Sequence, residues 1–517
     1  MPDRPNVLFL FSDQHSFRCL GRRDEAVGEP TATPALDTIA TEGTEFTDAY
    51  CQMPLCTPSR LCLLTGREVR GAGAWGNAAV LPPDRPTLPG TLSAGGYDTC
   101  LVGKMHLGGS RQYVGFDDRP YGDLTGAAGH QWEPLDREIR LATPERFADA
   151  GVTEIPESHL QEYTTTREAL SWIREHDHAA ENPWFLTASF SRPHFPLTAP
   201  RRYVERFWDL TADEPTDRLT APKVGHEGDT ADHPMTEAAI DGYDLDDTDE
   251  TARMRGRACY FACVEFLDDV IGEFLATLDR EGLLDDTVVV YASDHGELAG
   301  EHGVWWKQTW HEAATRVPLL VRTPAQRRGD APAADLSTPV GLVDVFPTLC
   351  GLAGIDSPGG LDGIDLSGAI ETGIEPDRDP VVCDTPKARW GEGTEFRVVR
   401  DGRYKYVAFR DAPELLFDLD TDPLEQTNLV PDATGEDATA LDSLRAFVDR
   451  TMDFDAMAAA RADDDLGEQY PLDVDADPVP SGNCYMINGS VVDADVPLYQ
   501  PRVVVKDPDD AFADYSG

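Results

Sequence analysis

Apolar residues fall along this chain in two rhythms. Short continuous runs recur: "NVLFLFS" (6–12), "DTCLVG" (98–103), "WFLTASF" (184–190), "TVVVYAS" (287–293) and "VPLLVRT" (317–323). They read as strands buried on both faces of a sheet. Between several of them, apolar residues stand three or four apart. The clearest case, "YFACVEFLDDVIGEFLATLDREG" (260–282), predicts an amphipathic helix stopped by Gly282. Strands alternating with helices predict an α/β fold with a mostly parallel central sheet flanked by helices.

Past about residue 375 the rhythm changes. "FRVVRDGRYKYVAF" (396–409) alternates around Asp401-Gly402, the mark of a hairpin, and "ELLFDLDTDPLEQTNL" (414–429) adds a further strand and a loop. The expectation is therefore a catalytic-sized domain over 1–375. A smaller C-terminal α+β domain on an antiparallel sheet follows over 376–517, ending in an acidic, proline- and aspartate-rich tail from about 450. No internal repeat is evident.

Composition sharpens this only in part. A chain of 517 residues with 41% hydrophobic residues can bury more than one core. Mean hydropathy is −0.38, and no apolar run approaches the length of a membrane span. The chain enters its first strand without a basic n-region or apolar leader, which predicts a cytoplasmic address. The formal net charge of −50 repels nucleic acid and anionic membranes. The acids dot most loops and only six lysines stand in the chain. We expect a salt-rich cytoplasm, as in a halophile, where counterions screen the self-repulsion. The ten cysteines form no disulfide framework. Cys259 and Cys263, one helical turn apart, read as core residues. Cys56, alone, would read the same way.

The candidate chemistry lies at strand ends. The first strand runs into Asp13-Gln14, the second into Lys104-Met105-His106, the third into "SRPHFP" with His194, and the fourth into Asp294-His295. Ligands of open parallel sheets bind beyond the carboxyl ends of the strands, so these groups are expected to converge. Clustered carboxylates require a cation. Oxygen donors favour calcium first, or magnesium, and the imidazole leaves manganese or zinc open. Lys104, Lys307, Arg60, His106 and His194 supply donors for a tetrahedral oxyanion, and a helix starting near Pro58-Ser59 adds its amides. His302 and His311 flank Lys307 and are expected to pack the loop or edge the substrate mouth, with no part in the chemistry. Trp305, Trp306 and Trp310 are read as loop anchors in preference to a lining of the substrate mouth.

These segments together resemble the sulfatase family. "CTPSRLCLLTGR" (56–67) is similar to its first signature and "GYDTCLVGKMHLG" (96–108) to its second. "SFSRPHFPLTAP" (189–200), "YASDHGELAGEHGVWWKQTWHEAATRVPLLV" (291–321) and "VGLVDVFPTLCGLAGIDSPGGLDGIDL" (340–366) follow in the family's order. The likeness spans roughly 5–430 and implies the alkaline-phosphatase-like fold. It also implies that a maturation enzyme oxidises Cys56 to formylglycine. One hydroxyl of the hydrated aldehyde attacks sulfur, and the second then expels sulfate, a release that serine could not perform. By the same resemblance Asp13, Gln14, Asp294 and His295 match metal ligands, with modified Cys56 as a further one. Arg60 matches the residue steadying the nucleophile, Lys104 and Lys307 sulfate-binding lysines, His106 the proton acceptor, and His194 the group beside the leaving oxygen. Gln14 and His295 depart from the commoner Asp and Asn. The implied activity is sulfate monoester hydrolysis on a small molecule or saccharide. Phosphonate monoester or phosphodiester hydrolysis within the same superfamily, and anion binding without turnover, are the alternatives. Neither the alcohol nor the oligomeric state is legible.

Overall fold

The computed structural model describes residues 4–77, 79–108, 111–123, 143–177, 182–243, 245, 248–387, 389–463, 484–485 and 491–492. Its centre is an eight-stranded sheet. In chain order the strands are β1 (Asn6–Asp13), β2 (Thr44–Phe46), β3 (Asp98–Gly103), β4 (Asp118–Tyr121), β5 (Trp184–Pro193), β6 (Thr287–Ser293), β7 (Leu319–Arg322) and β8 (Ala334–Leu336). They are arranged β8-β2-β7-β6-β1-β5-β3-β4. β1 pairs in parallel with β6 and β5, and β3 in parallel with β5 and β4. β7 alone runs against its neighbours β6 and β2. The mostly parallel α/β reading therefore holds, with one reversed strand in it.

The continuous apolar runs have the cause expected of them. Val7, Phe9 and Phe11 of β1 enter one core and Leu8 and Leu10 the other, so the pleat divides one strand between two hydrophobic layers. Helices cover both faces. The first layer includes Leu61 to Leu64 of α2 (Cys56–Thr65). The second includes Leu36 and Ile39 of α1 (Pro34–Glu42), Trp172 and Ile173 of α3 (Gln161–Asp177), and Leu267, Ile271 and Phe274 of α4 (Glu250–Arg280). α4 starts ten residues before the periodicity suggests, because Asp249 caps it by accepting from the Ala252 amide at 3.3 Å. Cys259 and Cys263 lie fully buried on α4.

The C-terminal part is a four-stranded antiparallel sheet, β9 (Val381–Thr385), β10 (Phe396–Asp401), β11 (Tyr404–Phe409) and β12 (Leu415–Asp418), in sequential order. Asp401 and Gly402 make the expected tight turn, Gly402 with φ 51°. One face of this sheet joins the first core through Phe396, Val398 and Phe417. The other is covered by Leu441, Leu444 and Val448 of α5 (Gly435–Thr451). The expectation for the acidic tail lies largely outside the described residues. No described helix is long and apolar enough to cross a membrane.

Candidate active site

β6, β1, β5 and β3 are consecutive neighbours in the sheet, and each delivers a polar group at its carboxyl end. Asp13 and Gln14 leave β1, Asp294 and His295 leave β6, Lys104 and His106 leave β3, and His194 follows β5. Gln14 and His106 take left-handed backbone with φ 68° and 53°. That conformation is uncommon for residues other than glycine and concentrates at functional sites. Two devices hold His106 in place. Asp123 accepts from its amide at 2.6 Å, and the Thr57 hydroxyl donates to its carbonyl at 2.6 Å.

Cys56 is the first residue of α2, two residues earlier than the predicted start, and its side chain sits at the positive end of the helix. The Ser59 hydroxyl ties this turn to β6 by donating to the Asp294 carbonyl at 2.5 Å. Arg60, fully buried, bridges the two acidic strand ends. Its Nε donates to Asp294 Oδ2 and its Nη2 to Asp13 Oδ2, both at 2.9 Å, and its Nη1 reaches the Lys104 carbonyl at 3.1 Å. Lys104 Nζ lies 2.5 Å from Asp13 Oδ2. Lys307 Nζ donates to Gln14 Oε1 at 2.7 Å and lies 3.0 Å from Cys56 Sγ and 3.1 Å from His295 Nε2. His295 Nε2 lies 3.3 Å from the same sulfur. Eight of the ten predicted site residues thus meet in one buried cluster; His194 Nε2 lies 3.9 Å from Asp13 Oδ1, and the His106 carbonyl is bound by Thr57, the neighbour of Cys56.

Its electrostatics follow from that packing. Burial pushes the Cys56 thiol up. The charges of Lys307 and His295 beside it outweigh this and hold it well below the ordinary thiol value. Asp13 is raised by burial and by Cys56, yet Lys104, His194 and Arg60 bring it well below the usual carboxylate range. His194 is pushed down to about 3 by burial and by the lysines. Its Nδ1 faces the Phe195 carbonyl at 2.9 Å, so its Nε2 is turned toward Asp13 Oδ1, 3.9 Å away. On His295 burial lowers the pKa, but Asp294 and Cys56 raise it above the ordinary value.

One carboxylate was not singled out from the sequence. Glu297 is buried, takes a hydrogen bond from Gln14 Nε2, and accepts from the amides of Ala299 and Trp306 at 2.8 and 2.7 Å. It fixes both the Gln14 amide and the turn that carries Lys307. Its signal is the last letter of "DHGE". His302 and His311, rings 4.2 Å apart, pack against each other within the loop, and Trp305, Trp306 and Trp310 are buried.

The donor set suits a cation. One ligand atom each from Asp13, Cys56, Asp294 and His295 lies within 4.8 Å of the others, all buried. Two carboxylates so close in a water-poor site are stable only against positive charge. Arg60 and Lys104 supply part of it, and the remaining lone pairs converge where a divalent ion would sit. Among the described residues no other group of three such donors forms.

Comparison with known proteins gives the family and the fold. The sulfatase family model matches residues 5–355. The chain belongs to the sulfatase family. A second model, described as N-sulphoglucosamine sulphohydrolase, C-terminal, matches residues 300–446. The choline-sulfatase of Rhizobium meliloti is 33% identical over 476 residues, covering 88% of each chain. The phosphonate monoester hydrolase of Agrobacterium radiobacter superposes with a TM-score of 0.69 at 25% identity, covering 95% of this chain and 99% of that one. A protein solved with its substrate D-glucosamine-2-N,6-O-disulfate superposes at 0.68 and 22% identity, covering 90% and 100%. This sulfatase thus shares its fold with enzymes acting on sulfur and on phosphorus.

Proposed function

We propose that this sulfatase hydrolyses sulfate monoesters through a formylglycine formed at Cys56, releasing sulfate and an alcohol. The observation that carries the reading is the Cys56 side chain, first in its helix, with Lys307 Nζ at 3.0 Å and His295 Nε2 at 3.3 Å in a buried acidic cluster. Its Sγ marks the position that the oxygens of a hydrated aldehyde would take. A divalent cation held by Asp13, Gln14, Asp294 and His295, calcium first among the candidates, would supply charge for the developing oxyanion, and the aldehyde hydrate a nucleophile with a second hydroxyl for release.

The remaining roles belong to the side chains present. Lys307 and Lys104 supply cationic donors for the sulfate oxygens. Arg60 ties Asp13 to Asp294 by donating to both. His106, whose carbonyl is held by the Thr57 hydroxyl next to Cys56, would take a proton from the modified residue. His194 has Nδ1 committed to Phe195, so Nε2 is the nitrogen that can exchange a proton with the leaving oxygen. The maturation enzyme would act on the "CTPSR" segment, and because the folded chain buries Pro58 and Arg60, it would have to act before this helix packs. A salt-rich cytoplasm is the setting we propose for a net charge of −50.

The second reading is phosphonate or phosphate diester hydrolysis, favoured by the likeness to the Agrobacterium radiobacter enzyme. Against it stands the Lys104-Met105-His106 pair, whose lysine adds a second cationic donor for a group with three non-bridging oxygens, as a sulfate ester has and a phosphonate ester lacks. Matched aryl sulfate and aryl phosphonate esters, assayed in parallel with Cys56→Ala as the control, decide between them. We expect the higher kcat/KM on sulfate. A higher value on phosphonate overturns the reading.

A further inference from the structure

Around the turn that carries Lys307 stands a second set of groups with no part in the chemistry above. Arg146, on the short helix Thr143–Ala148, holds its guanidinium carbon 3.8 Å from the centroid of the Phe195 ring and 5.0 Å from that of Trp306. Phe195 in turn lies 4.0 Å, ring to ring, from His194. From the other side, the Tyr243 hydroxyl donates to the Lys307 carbonyl at 3.0 Å, and Trp390 Nε1 to the Gln308 carbonyl at 2.8 Å. Tyr243 and Trp390 pack edge to face at 4.6 Å. The exposed Arg389 lies over both, 4.8 Å from Trp390 and 5.9 Å from Tyr243. One guanidinium thus lies on the Phe195–Trp306 pair next to His194 and the other on the Tyr243–Trp390 pair, both bordering the segment that carries Lys307.

Neither arginine has a carboxylate partner among the described residues. This chain carries 94 acidic residues against 44 basic ones, and arginine after arginine elsewhere is paired, as Arg192 is with Glu162, Arg257 with Glu29, and Arg397 with Asp384. Arg146 Nε is buried and meets no hydrogen-bond acceptor among the described residues. Burial pushes Arg146 down to about 10. Glu297 is near enough to counter part of that, but its oxygens are already taken by Gln14, Ala299 and Trp306. A buried donor without an acceptor costs free energy unless something fills the place, and a planar guanidinium on an aromatic face still offers its edge to a carboxylate or sulfate.

We infer that the Arg146–Arg389 pair recognises a second anionic group, a carboxylate or a further sulfate, on the alcohol portion of the substrate. The inference rests on the sulfate ester reading above. It also sets this chain apart from an enzyme for a cationic alcohol, since two guanidinium groups with no carboxylate partner among the described residues repel a quaternary ammonium.

Three phenyl sulfates with the same para spacer test this: one ending in a carboxylate, one in a hydroxyl, one in a trimethylammonium. Each is run at fixed ionic strength, because screening acts over about 8 Å at 0.15 M salt. The quantity read is the ratio of kcat/KM for the carboxylate ester to that for the hydroxyl ester. We expect this ratio to fall about ten- to one-hundredfold in Arg146→Gln, less in Arg389→Gln, with the loss in KM and with partial recovery in Arg146→Lys. The exposed Arg389 keeps the test valid if Arg146 substitutions fail to fold. A ratio unchanged in both variants, or a wild-type preference for the ammonium ester, overturns the inference. A purely structural role would lower all three rates together. The same para series on phenyl phosphonates runs alongside. Turnover there alone sinks the sulfate reading, while the charge preference is still read from the phosphonates.

Discussion

Lys307 offers the sharpest test of the site, because its ammonium touches three things at once. Its Nζ lies 2.7 Å from Gln14 Oε1, 3.0 Å from Cys56 Sγ and 3.1 Å from His295 Nε2, and the residue is 7% exposed. At about 3 Å and an effective dielectric near 20, a unit charge at the sulfur position would interact with this ammonium by about 5 kcal/mol. Part of that acts on the bound sulfate as well as on the transition state. The differential share expected for one well-aimed donor is about 3–4 kcal/mol, or a hundred- to thousandfold in kcat. Lys307→Met removes the charge and keeps the aliphatic stem. The assay is sulfate release from a saturating aryl sulfate at saturating divalent metal. The converted fraction of Cys56 is measured on the same preparation, so that poor maturation is not mistaken for poor catalysis. Metal affinity is titrated separately and is expected to hold or tighten, since a neighbouring cation has gone. A kcat within about fivefold of wild type, at equal conversion, would mean that Lys307 merely packs between Gln14 and the sulfur, and the assignment of the lysines would fail.

Three further outcomes follow from the same structure. His302 is held down to about 4 from 6.5, first by burial. The unfolded chain therefore binds its proton at higher pH than the folded one. The stability it contributes is full above about 6.5 and lost as pH falls toward about 4. Melting profiles across that window should be shallower in His302→Asn, which also tolerates the left-handed backbone there (φ 56°); parallel profiles would contradict this. Chelation should lower the melting temperature and readdition of calcium restore it, because Asp13 and Asp294 lose a counter-charge; an unchanged melt would argue against a cation among them. With a net charge of −50, raising sodium chloride from 0.1 M to 2 M shortens the screening length from about 10 Å to below about 3 Å, and the melting temperature should climb steeply. A fold equally stable in dilute buffer would refute the salt-rich setting.

How far the sequence spoke can be traced residue by residue. Buried parallel strands announce themselves because both faces are apolar, so β1, β3, β5 and β6 were visible, and with them every group at their carboxyl ends. β7 was visible as a strand, but its reversed direction was not, since direction is fixed by the connections and not by composition. The first turns of α4 were hidden because "ETARMRGR" (250–257) carries few apolar residues, and its start is set by the Asp249 cap. Glu297 escaped because its function is to hold Gln14 and the 306–308 turn, an arrangement made only in three dimensions. Arg146 and Arg389 escaped for the same reason. An arginine with no carboxylate beside it among the described residues can be recognised only when its neighbours are known.

The central claim concerns one side chain, and one peptide reports on it. Cleavage after Arg23 and Arg60 yields a fragment containing two cysteines, Cys51 and Cys56. In protein from the native host, alkylation followed by mass spectrometry should find that fragment carrying a single alkyl group, on Cys51, and an aldehyde in place of the CH2–SH of Cys56, in the preparations that release sulfate. Two alkyl groups on that fragment in a fully active preparation would contradict the account.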